Sequence, residues 1–491
     1  MNTSILLIII LLPIIGGLAE GLIPFKERTA RNIFIETVVV ITSILAWVTI
    51  INKPTGTLEV LKFTGDLVFA FKMDGLGMIF AGLISALWPL ATLYSFEYME
   101  KEERERSFFF FYTITYGVTL GIALAGNLMT MYLFYEMLTI VTVPLVLHTL
   151  TREAILASRT YLYYSLGGAA FGFIGFIFVL VYGYGLDFVY GGVLDPNKIG
   201  ERGNILLLVY VLSFLGFGVK AAVCPFNKWL PQAGVAPTPV TALLHAVAVV
   251  KSGAFAIMRI TYYSYGADFI RGTWAQYTVM AIAIFTIIYG SARAVKETHF
   301  KRRLAYSTIG NLSYILFGVT IMTPLGLFGA LCHMVFHAVM KIASFFCAGA
   351  VISKTERTFV FELNGLGKHM PVTFTVFTIS GLALMGVPGL CGFVSKWYLA
   401  EAAVASENVL AYVGIGALLI SAILTAVYIM TISVRAFFPG KNFDDSVNAG
   451  VKEAGIRMLL PLCIFTVCII IFGVYSKPLT DIILNVAMGG M

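Results

Sequence analysis

The chain has 491 residues, of which 59% are hydrophobic and only 12% charged, and its mean hydropathy is +0.90. Soluble domains contain about 25% charged residues, so this composition excludes a soluble globular protein. It also excludes a disordered chain, which needs few apolar and many charged residues. The net charge of +7 could serve nucleic-acid binding, but the cations lie in short loops beside apolar runs. We therefore expect a polytopic membrane protein that contacts lipid and no nucleic acid.

Apolar runs long enough to cross a bilayer as helices, about 20 residues each, occur fourteen times along the sequence. They leave short loops and no separate soluble domain, so we predict one all-α transmembrane domain over residues 1–491. The runs lie near 4–24, 32–51, 74–96, 107–125, 127–149, 160–184, 204–223, 236–262, 274–292, 303–322, 324–352, 372–400, 408–434 and 456–476.

The loops between these runs alternate in charge. If the N-terminus lies outside the cell, most of the 33 lysines and arginines fall on the cytoplasmic side, in loops such as 26–31, 101–106 and 293–303. A few, among them Lys198 and Arg259, fall on the opposite side. Because cytoplasmic loops of membrane proteins are enriched in Lys and Arg, this predicts a multi-pass protein of the cytoplasmic (inner) membrane with both termini on the outer face.

The sequence lacks the motifs of cofactor sites. None of the six cysteines forms a C-x-x-C pair, and neither a Walker A loop nor a dinucleotide fingerprint is present. We therefore expect no cofactor and no redox chemistry in this chain, so that any enzymatic activity belongs to a complex around it. The energy for transport must then come from an ion gradient or from a partner.

Ionisable side chains inside the predicted spans are the strongest functional signal, because each costs roughly 2.5–3.5 kcal/mol on insertion scales. Eight such residues in five spans are hard to explain as packing, and we expect them to form an ion path. Seven are basic, and Glu136 is the only carboxylate that we place well inside a span. They are Glu136 in span 5, Lys220 in span 7, His245 and Lys251 in span 8, His333, His337 and Lys341 in span 11, and Lys396 in span 12.

Two of the lysines lie beside helix-breaking residues. Lys220 precedes Pro225, and Lys396 follows the sequence Gly386-Val-Pro-Gly389. Proline removes a helical hydrogen bond, and broken backbone survives at membrane depth only where it is buried in protein or lines a wet cavity. Interrupted spans in corresponding halves of a chain are typical of a transporter site. We predict interruptions near Pro225 and near residues 388–392.

Span 11 carries a row of titratable groups. His333, His337 and Lys341 recur every four residues, which predicts one helix face over about 12 Å and suits a proton relay completed by water. Two histidines at this spacing could bind zinc, but no Cys or acidic ligand is near, so no metal site is predicted. His245 and Lys251 are six residues apart, about 120° off one helix face, and need either a loosened turn or separate contacts.

Ligand chemistry favours protons as the transported ion. Sodium is a hard cation that wants several oxygen ligands, whereas a protonated lysine offers only donors. Burial can bring a lysine towards neutrality, so that lysine and histidine can carry protons. Backbone carbonyls or threonine hydroxyls could still bind sodium, which leaves a sodium-translocating subunit open. The rival class is a self-contained secondary transporter of a small solute, whose site should gather carboxylates or aromatic rings at one level.

The sequence resembles a known family in the stretch from Lys220 to Arg259, through Trp229-Leu-Pro231, Ala236-Pro-Thr-Pro-Val240 and Val250-Lys-Ser-Gly253. This is similar to the signature of the antiporter-like subunits. They include the proton-channel subunits of respiratory complex I (NADH:quinone oxidoreductase) and the large subunits of Mrp-type multisubunit Na⁺/H⁺ antiporters. Related subunits occur in membrane-bound hydrogenase and sulfur-reductase complexes. The resemblance covers spans 3 to 13 and includes 134–136, 333–341 and 386–396.

The resemblance implies two inverted five-helix repeats, spans 4–8 over about residues 107–262 and spans 9–13 over about 274–434, with discontinuous helices 7 and 12. It implies that Glu136 and Lys220 form an input-side pair, which we expect to be a switchable ion pair. Lys251 would be the central lysine and Lys396 the exit-side group, where some members have Glu. The connecting residues would be His245, His333 and His337.

The resemblance also implies partners. They are related antiporter-like and small hydrophobic subunits, and a hydrogenase-like or quinone-reductase-like module. The longest family members continue past the fourteenth span into a lateral helix and further spans, which we do not expect in this chain.

Overall fold

The computed structural model describes residues 3–65, 67–440 and 443–490 and consists mainly of helices. In chain order they are α1 Ser4–Leu22, α2 Arg28–Asn52, α3 Gly75–Tyr98, α4 Glu105–Ala123, α5 Leu128–Val146, α6 Arg152–Tyr182, α7 Pro196–Ile199, α8 Gly203–Gly218, α9 Trp229–Gln232, α10 Thr238–Ala246, α11 Val249–Met258, α12 Ala267–Ile270, α13 Trp274–Lys296, α14 Phe300–Thr320, α15 Pro324–Thr355, α16 Leu366–His369, α17 Pro371–Met385, α18 Cys391–Ala405, α19 Val409–Phe437, α20 Ile456–Val474 and α21 Lys477–Ala487. A π-helical segment, Arg259–Tyr265, continues α11.

A small antiparallel hairpin and a short final helix were not predicted. Strand β1 (Leu58–Lys62) pairs with β2 (Val68–Phe71) between α2 and α3. Helix α21 follows the last predicted span directly. Both segments are too short to span a bilayer and carry no long apolar run, so a search for spans passes over them.

Eleven helical segments in the described part of the chain are long and apolar enough to cross a membrane. The predicted class, an α-helical multi-pass membrane protein, is therefore confirmed, whereas the count of fourteen spans stays a prediction. The segments are Ser4–Leu22, Arg28–Asn52, Gly75–Lys101, Leu128–Val146, Arg152–Tyr182, Pro196–Gly218, Thr238–Tyr265, Trp274–Lys296, Pro324–Thr355, Val409–Phe437 and Ile456–Val474.

Two of these segments form the centre of the bundle. The apolar stretch of Thr238–Tyr265 is wholly buried inside the protein and that of Pro324–Thr355 is 94% buried, against 28% for Ile456–Val474. Helix α15 packs against α10, α14, α17, α18 and α20. Ionisable groups on α10, α11 and α15 are therefore surrounded by protein and kept away from the bilayer.

Both predicted interruptions coincide with non-helical backbone. Helix α8 ends at Gly218, so the break begins before Lys220, and helix resumes only at Trp229, with Pro225 in between. Helix α17 ends at Met385 and α18 begins at Cys391, and the predicted sequence Gly386-Val-Pro-Gly389 lies between them. The two glycines of that turn have φ values of 95° and 87°, which glycine adopts at little cost because it lacks a Cβ atom.

A third interruption divides α10 from α11 at Val247 and Ala248. Neither residue is a helix breaker, and the φ and ψ of Val247 are −127° and −61°, outside the α-helical range. The sequence contains no proline or glycine at this point, so the break could not be located from composition.

The prediction that Arg259 lies on an outer loop is wrong. Its side chain is fully buried in the π-helical segment and pairs with Asp74 at the start of α3, with Nη2 and Oδ1 2.7 Å apart. Its guanidinium also lies 4.6 Å from the ring centroid of Phe188 and 4.9 Å from that of Tyr263. A paired carboxylate and ring faces compensate for burial of this charge, which a count of loop cations does not consider.

The prediction that Glu136 is the only carboxylate well inside a span is also wrong. Glu36 lies as far inside α2 as Glu136 lies inside α5, and Glu20, near the end of α1, is fully buried. Near Glu20, Arg106 donates to the carbonyl groups of Gly21 (2.9 Å) and Ile23 (2.7 Å). The packing of α4 on α1 thus supplies a nearby cation that the sequence alone does not reveal.

Candidate functional site

Lys251 and His337 form the centre of the candidate site. Both side chains are fully buried, and Lys251 Nζ lies 2.5 Å from His337 Nδ1. At an effective dielectric constant near 20, two unit charges separated by the observed 2.5 Å repel by about 6.6 kcal/mol. The two groups therefore cannot both carry an added proton without a large cost, and a proton bound by the pair could sit on either nitrogen.

The interruption before α11 brings His245 and Lys251 to the same neighbour. The His245 ring lies 4.7 Å from the Phe345 ring of α15, between centroids, while Lys251 reaches His337 on that helix. The sequence left a loosened turn or separate contacts open. The structure contains the loosened turn at Val247–Ala248, and both side chains contact α15.

Helix α15 carries His333, His337 and Lys341 on one face, as their spacing predicts. The two histidine rings are stacked with centroids 5.6 Å apart and an angle of 17° between their planes. Lys341 turns towards α14, where its Nζ donates to Ser307 Oγ (2.7 Å) and to the Leu304 carbonyl (3.1 Å). The row therefore branches, with the histidines following one direction and Lys341 another.

Lys396 lies at the other end of the histidine pair. Its Nζ donates to the carbonyl groups of Leu384 (2.7 Å) and Met385 (2.9 Å), the last ones of α17. His333 Nδ1 is 2.9 Å from Ser395 Oγ, the residue next to Lys396. A row of close contacts thus joins Lys251, through the two histidines and the start of α18, to the lysine at the second helix break.

Tyr314 of α14 adds a second contact between these groups. Its ring centroid is 5.1 Å from that of His333 and 5.2 Å from Lys396 Nζ. Neither Tyr314 nor Ser395 was a candidate from the sequence. Neutral polar residues cost little in a span and recur throughout this chain, so only their position next to the charged groups distinguishes them.

Lys220 lies just beyond the end of α8 and is fully buried. Its amine donates to the carbonyl oxygen of Tyr135 and lies 3.4 Å from the centroid of that tyrosine's ring. Helix α11 passes close by at Gly253, where an added Cβ atom would be 2.9 Å from the carbonyl carbon of Lys220 and 3.0 Å from its Cβ. Lys220 is therefore held against α5 and α11, with no direct side-chain bond to Lys251 among the described contacts.

The predicted ion pair between Glu136 and Lys220 is not closed. Among the ion pairs of the described residues with N–O distances up to 4.0 Å, none joins these two side chains. Glu136 is partly exposed on α5, and its charge and that of Lys220 interact through space. Lys220 contacts the backbone of the residue before Glu136 because the end of α8 directs its amine there.

Several imidazole nitrogens of the site lack a protein partner. Both ring nitrogens of His245 and the Nε2 atoms of His333 and His337 are buried without a hydrogen bond in the described part of the chain. Buried polar atoms of this kind are ordinarily satisfied by water. In the same described residues no three His, Cys, Asp or Glu side chains cluster as metal ligands would.

The fold and these residues define a class: a multi-pass helical membrane protein with a buried row of lysines and histidines between two interrupted helices. The sequence pattern of the family described as "NADH:quinone oxidoreductase/Mrp antiporter, TM" matches residues 125–425. A second pattern, "NADH-Ubiquinone oxidoreductase (complex I), chain 5 N-terminus", matches residues 63–109. The chain belongs to the NADH:quinone oxidoreductase/Mrp antiporter family, and the resemblance seen in its motifs is confirmed.

Two curated relatives represent the two branches of this family. The chain is 29% identical to the Na⁺/H⁺ antiporter subunit A1 of Staphylococcus haemolyticus over 99% of its own length and 62% of the relative's. It is 30% identical to the NADH-quinone oxidoreductase subunit N of Desulforudis audaxviator over 83% of its own length and 82% of the relative's. The chain thus spans less than two thirds of the antiporter subunit but most of the oxidoreductase subunit.

The fold is also similar to a chain in the structure of the membrane-bound sulfane sulfur reductase, an archaeal respiratory membrane complex. The TM-score is 0.84 with 22% sequence identity, covering 99% of this chain and 97% of the other. At this identity the likeness shows a common fold.

Proposed function

We propose that this chain is a proton-translocating, antiporter-like subunit of a multisubunit membrane complex, either redox-driven or of the Mrp cation/proton antiport type. The proposal rests on one observation, the row of contacts from Lys251 through His337 and His333 to Lys396. Each member can accept and release a proton, and the row lies in the middle of the bundle.

Protons suit this row better than sodium. Its contacts join nitrogen to nitrogen or nitrogen to a hydroxyl, as between Lys251 and His337 and between His333 and Ser395. Carbonyl oxygens enter only at Lys396, whose amine occupies them. Sodium needs several oxygen ligands around one point. A sodium-translocating subunit is the alternative, and a stand-alone transporter of a small solute is disfavoured because the ionisable groups form a line and not a pocket.

The input side would be Glu136 and Lys220, joined to the row by water. Lys220 is anchored to the Tyr135 carbonyl. The two ring nitrogens of His245 have no protein partner in the described residues and would bind the water of this connection. Opening and closing the distance between Glu136 and Lys220 would change how tightly that lysine holds its proton. A partner subunit could drive this by moving one charge.

The proposed architecture has fourteen spans and two inverted repeats, over about 107–262 and 274–434. Besides the eleven apolar segments, the support comes from α4, α14 and the α17–α18 unit, each of which is long enough to cross a bilayer. The breaks after α8 and after α17 each place a lysine, Lys220 or Lys396, beside free backbone. The two interrupted spans that contain these breaks would be the discontinuous helices 7 and 12.

We further propose that both termini lie on the outer face of the cytoplasmic membrane. The loops on one side of the predicted spans, among them 26–31, 101–106 and 293–303, together carry most of the cations, as cytoplasmic loops do. Single cysteines introduced into 26–31 and into 301–303 should react with membrane-impermeant reagents only from the cytoplasmic side. Labelling of both segments from outside would contradict the orientation.

The partners would be related antiporter-like subunits, small hydrophobic subunits and a hydrogenase-like or quinone-reductase-like module. Relatives and fold neighbours belong to an antiporter, an NADH-quinone oxidoreductase and a respiratory membrane complex. Identification of the proteins that co-purify with the tagged chain would decide between a redox-driven and an antiport complex.

The test of function uses the intact complex in proteoliposomes with a pH-sensitive dye inside. Addition of the electron donor or of a Na⁺ gradient should change the internal pH, and Lys251→Met should abolish the change while the complex stays assembled. Solute uptake or Na⁺ movement without a pH change, unaltered by Lys251→Met, would contradict the proposal.

A further inference from the structure

A polar cleft opens beside the interrupted segment that follows α8, outside the row of titratable groups. Its volume is about 600 Å³, and its walls come from that segment, α6, α9, α13 and α14. The cations Lys228, Arg293 and Arg302 line it, together with Asn227. We propose that this cleft binds the phosphate of an anionic phospholipid.

The charges of the cleft suit an anion. Lys228, Arg293 and Arg302 are exposed at its rim. The carboxylate Glu297 also lines the cleft, but its Oε1 accepts hydrogen bonds from the backbone N–H groups of Thr298 and His299, each at 3.0 Å. Three cations thus face one carboxylate in the cleft, and an oxygen of that carboxylate already accepts hydrogen bonds from the backbone.

A buried amide forms part of the cleft wall. Asn227 is only 4% exposed and lines the cleft beside Lys228. Its side chain interacts with the Cys224 thiol of the same interrupted segment, which holds this part of the wall in place. A phosphate in the cleft would meet this polar wall together with the three cations.

The depth of the lining residues fits a lipid headgroup. Arg293 is in the last turn of α13 and Arg302 in the first turn of α14, and Tyr289 and Tyr306 lie four residues further into each helix. Four residues correspond to about 6 Å along a helix. Cations at the surface with tyrosine rings just below them are the arrangement of the membrane interface, where basic pockets between helices bind anionic headgroups.

The positions of the side chains are held by the protein. Arg293 Nη2 donates to Tyr306 Oη at 3.1 Å, and its guanidinium lies 5.1 Å from the centroid of that ring. The backbone N–H of Cys224, in the interrupted segment, donates to Thr286 Oγ1 of α13 at 3.1 Å. A headgroup that bridges Lys228 to the arginines would tie this segment, which also contains Lys220, to α13 and α14.

The binding test uses the complex purified with the full chain, in nanodiscs of phosphatidylcholine with or without phosphatidylglycerol. Native mass spectrometry should show preferential retention of phosphatidylglycerol. The double variant Lys228→Gln/Arg302→Gln should weaken retention by about 25-fold, or about fivefold for each cation. The matched double variant Arg152→Gln/Lys26→Gln removes two exposed cations that do not line the cleft and should change retention less than about twofold.

Further experiments distinguish a lipid headgroup from free phosphate and test whether binding occurs in this cleft. Asn227→Asp keeps the shape of the side chain, adds a negative charge to the wall of the cleft and should abolish retention. Inorganic phosphate should not displace the lipid, since it lacks the glycerol and acyl parts. In hydrogen exchange, phosphatidylglycerol should protect residues 219–228 in the wild type and not in the Asn227→Asp variant.

Three results would overturn the proposal. One is equal retention of phosphatidylglycerol and phosphatidylcholine by the wild type, as expected if an acidic segment of a neighbouring subunit fills the cleft. Another is displacement by inorganic phosphate, which would make this a free-phosphate site. The third is equal loss of retention in the two double variants, which would mean general attraction to the surface.

Discussion

Replacement of Lys251 by arginine separates the two properties that this residue brings to the site. Lysine is a cation that can lose its proton, whereas arginine stays charged at every pH at which the protein is folded. Lys251→Met removes both properties. We expect Lys251→Arg and Lys251→Met to lose proton translocation alike, because the site needs a proton that can leave.

The expected size of the effect follows from the contact with His337. The observed 2.5 Å between the two nitrogens makes simultaneous protonation unfavourable by about 6.6 kcal/mol, so arrival of a proton on one group expels it from the other. An arginine at position 251 never releases its proton and would hold His337 neutral. Loss of a positioned acid–base group costs about 10²–10⁴-fold in rate, so both variants should fall close to background.

The assay is the initial rate of internal pH change in proteoliposomes that contain equal amounts of assembled complex. Size-exclusion chromatography establishes that each variant is assembled, since arginine is larger than lysine and this side chain is fully buried. Lys296→Met, which removes an exposed cation at the end of α13, is the matched control. Wild-type rates in the Lys251→Arg variant would refute proton release at this position and leave a purely electrostatic role.

Three further predictions concern the surroundings of the row. Glu136→Gln should strongly reduce coupled transport with normal levels of folded protein; normal transport from mildly acidic to alkaline pH would leave Glu136 a structural role. Gly253→Ala places a methyl group 2.9 Å from a backbone carbon of the neighbouring segment, so it should cost about 1–3 kcal/mol of stability. Gly234→Ala, which meets nothing within 4 Å, should leave the thermal midpoint unchanged, and equal midpoints for both variants would count against close packing at Gly253. Asp74→Asn leaves the buried Arg259 without its carboxylate and should destabilise the protein by about 3–5 kcal/mol, measured by denaturant titration; a loss below about 1 kcal/mol would mean that the aromatic rings suffice.

The helical row on α15 and the two predicted interruptions could be inferred from the sequence because local chemistry determines them. A spacing of four residues places side chains on one helix face whatever the helix packs against. Proline and glycine alter the backbone directly, so Pro225 and Gly386 with their neighbours predict non-helical segments. The family motifs then added roles that spacing alone does not supply.

What could not be predicted depends on contacts between distant segments. The break at Val247 arises in ordinary helix-forming residues, and it determines that His245 and Lys251 both meet α15. Likewise, Arg259 is buried because Asp74, far away in the chain, lies opposite it. Burial of a charge is decided by its partner, and a partner remote in sequence leaves no local pattern.

The capping of α17 by Lys396 gives one amine two tasks. The carbonyl groups of Leu384 and Met385 end a helix, and a helix C-terminus carries a partial negative charge that attracts a cation. When the amine gives up its proton, this attraction disappears, and the joint between α17 and α18 loses the electrostatic part of its stabilisation. On the proposed path, the protonation of Lys396 and the stiffness of this joint would therefore be linked, so that a proton passing this lysine would also change how firmly α17 and α18 are held together.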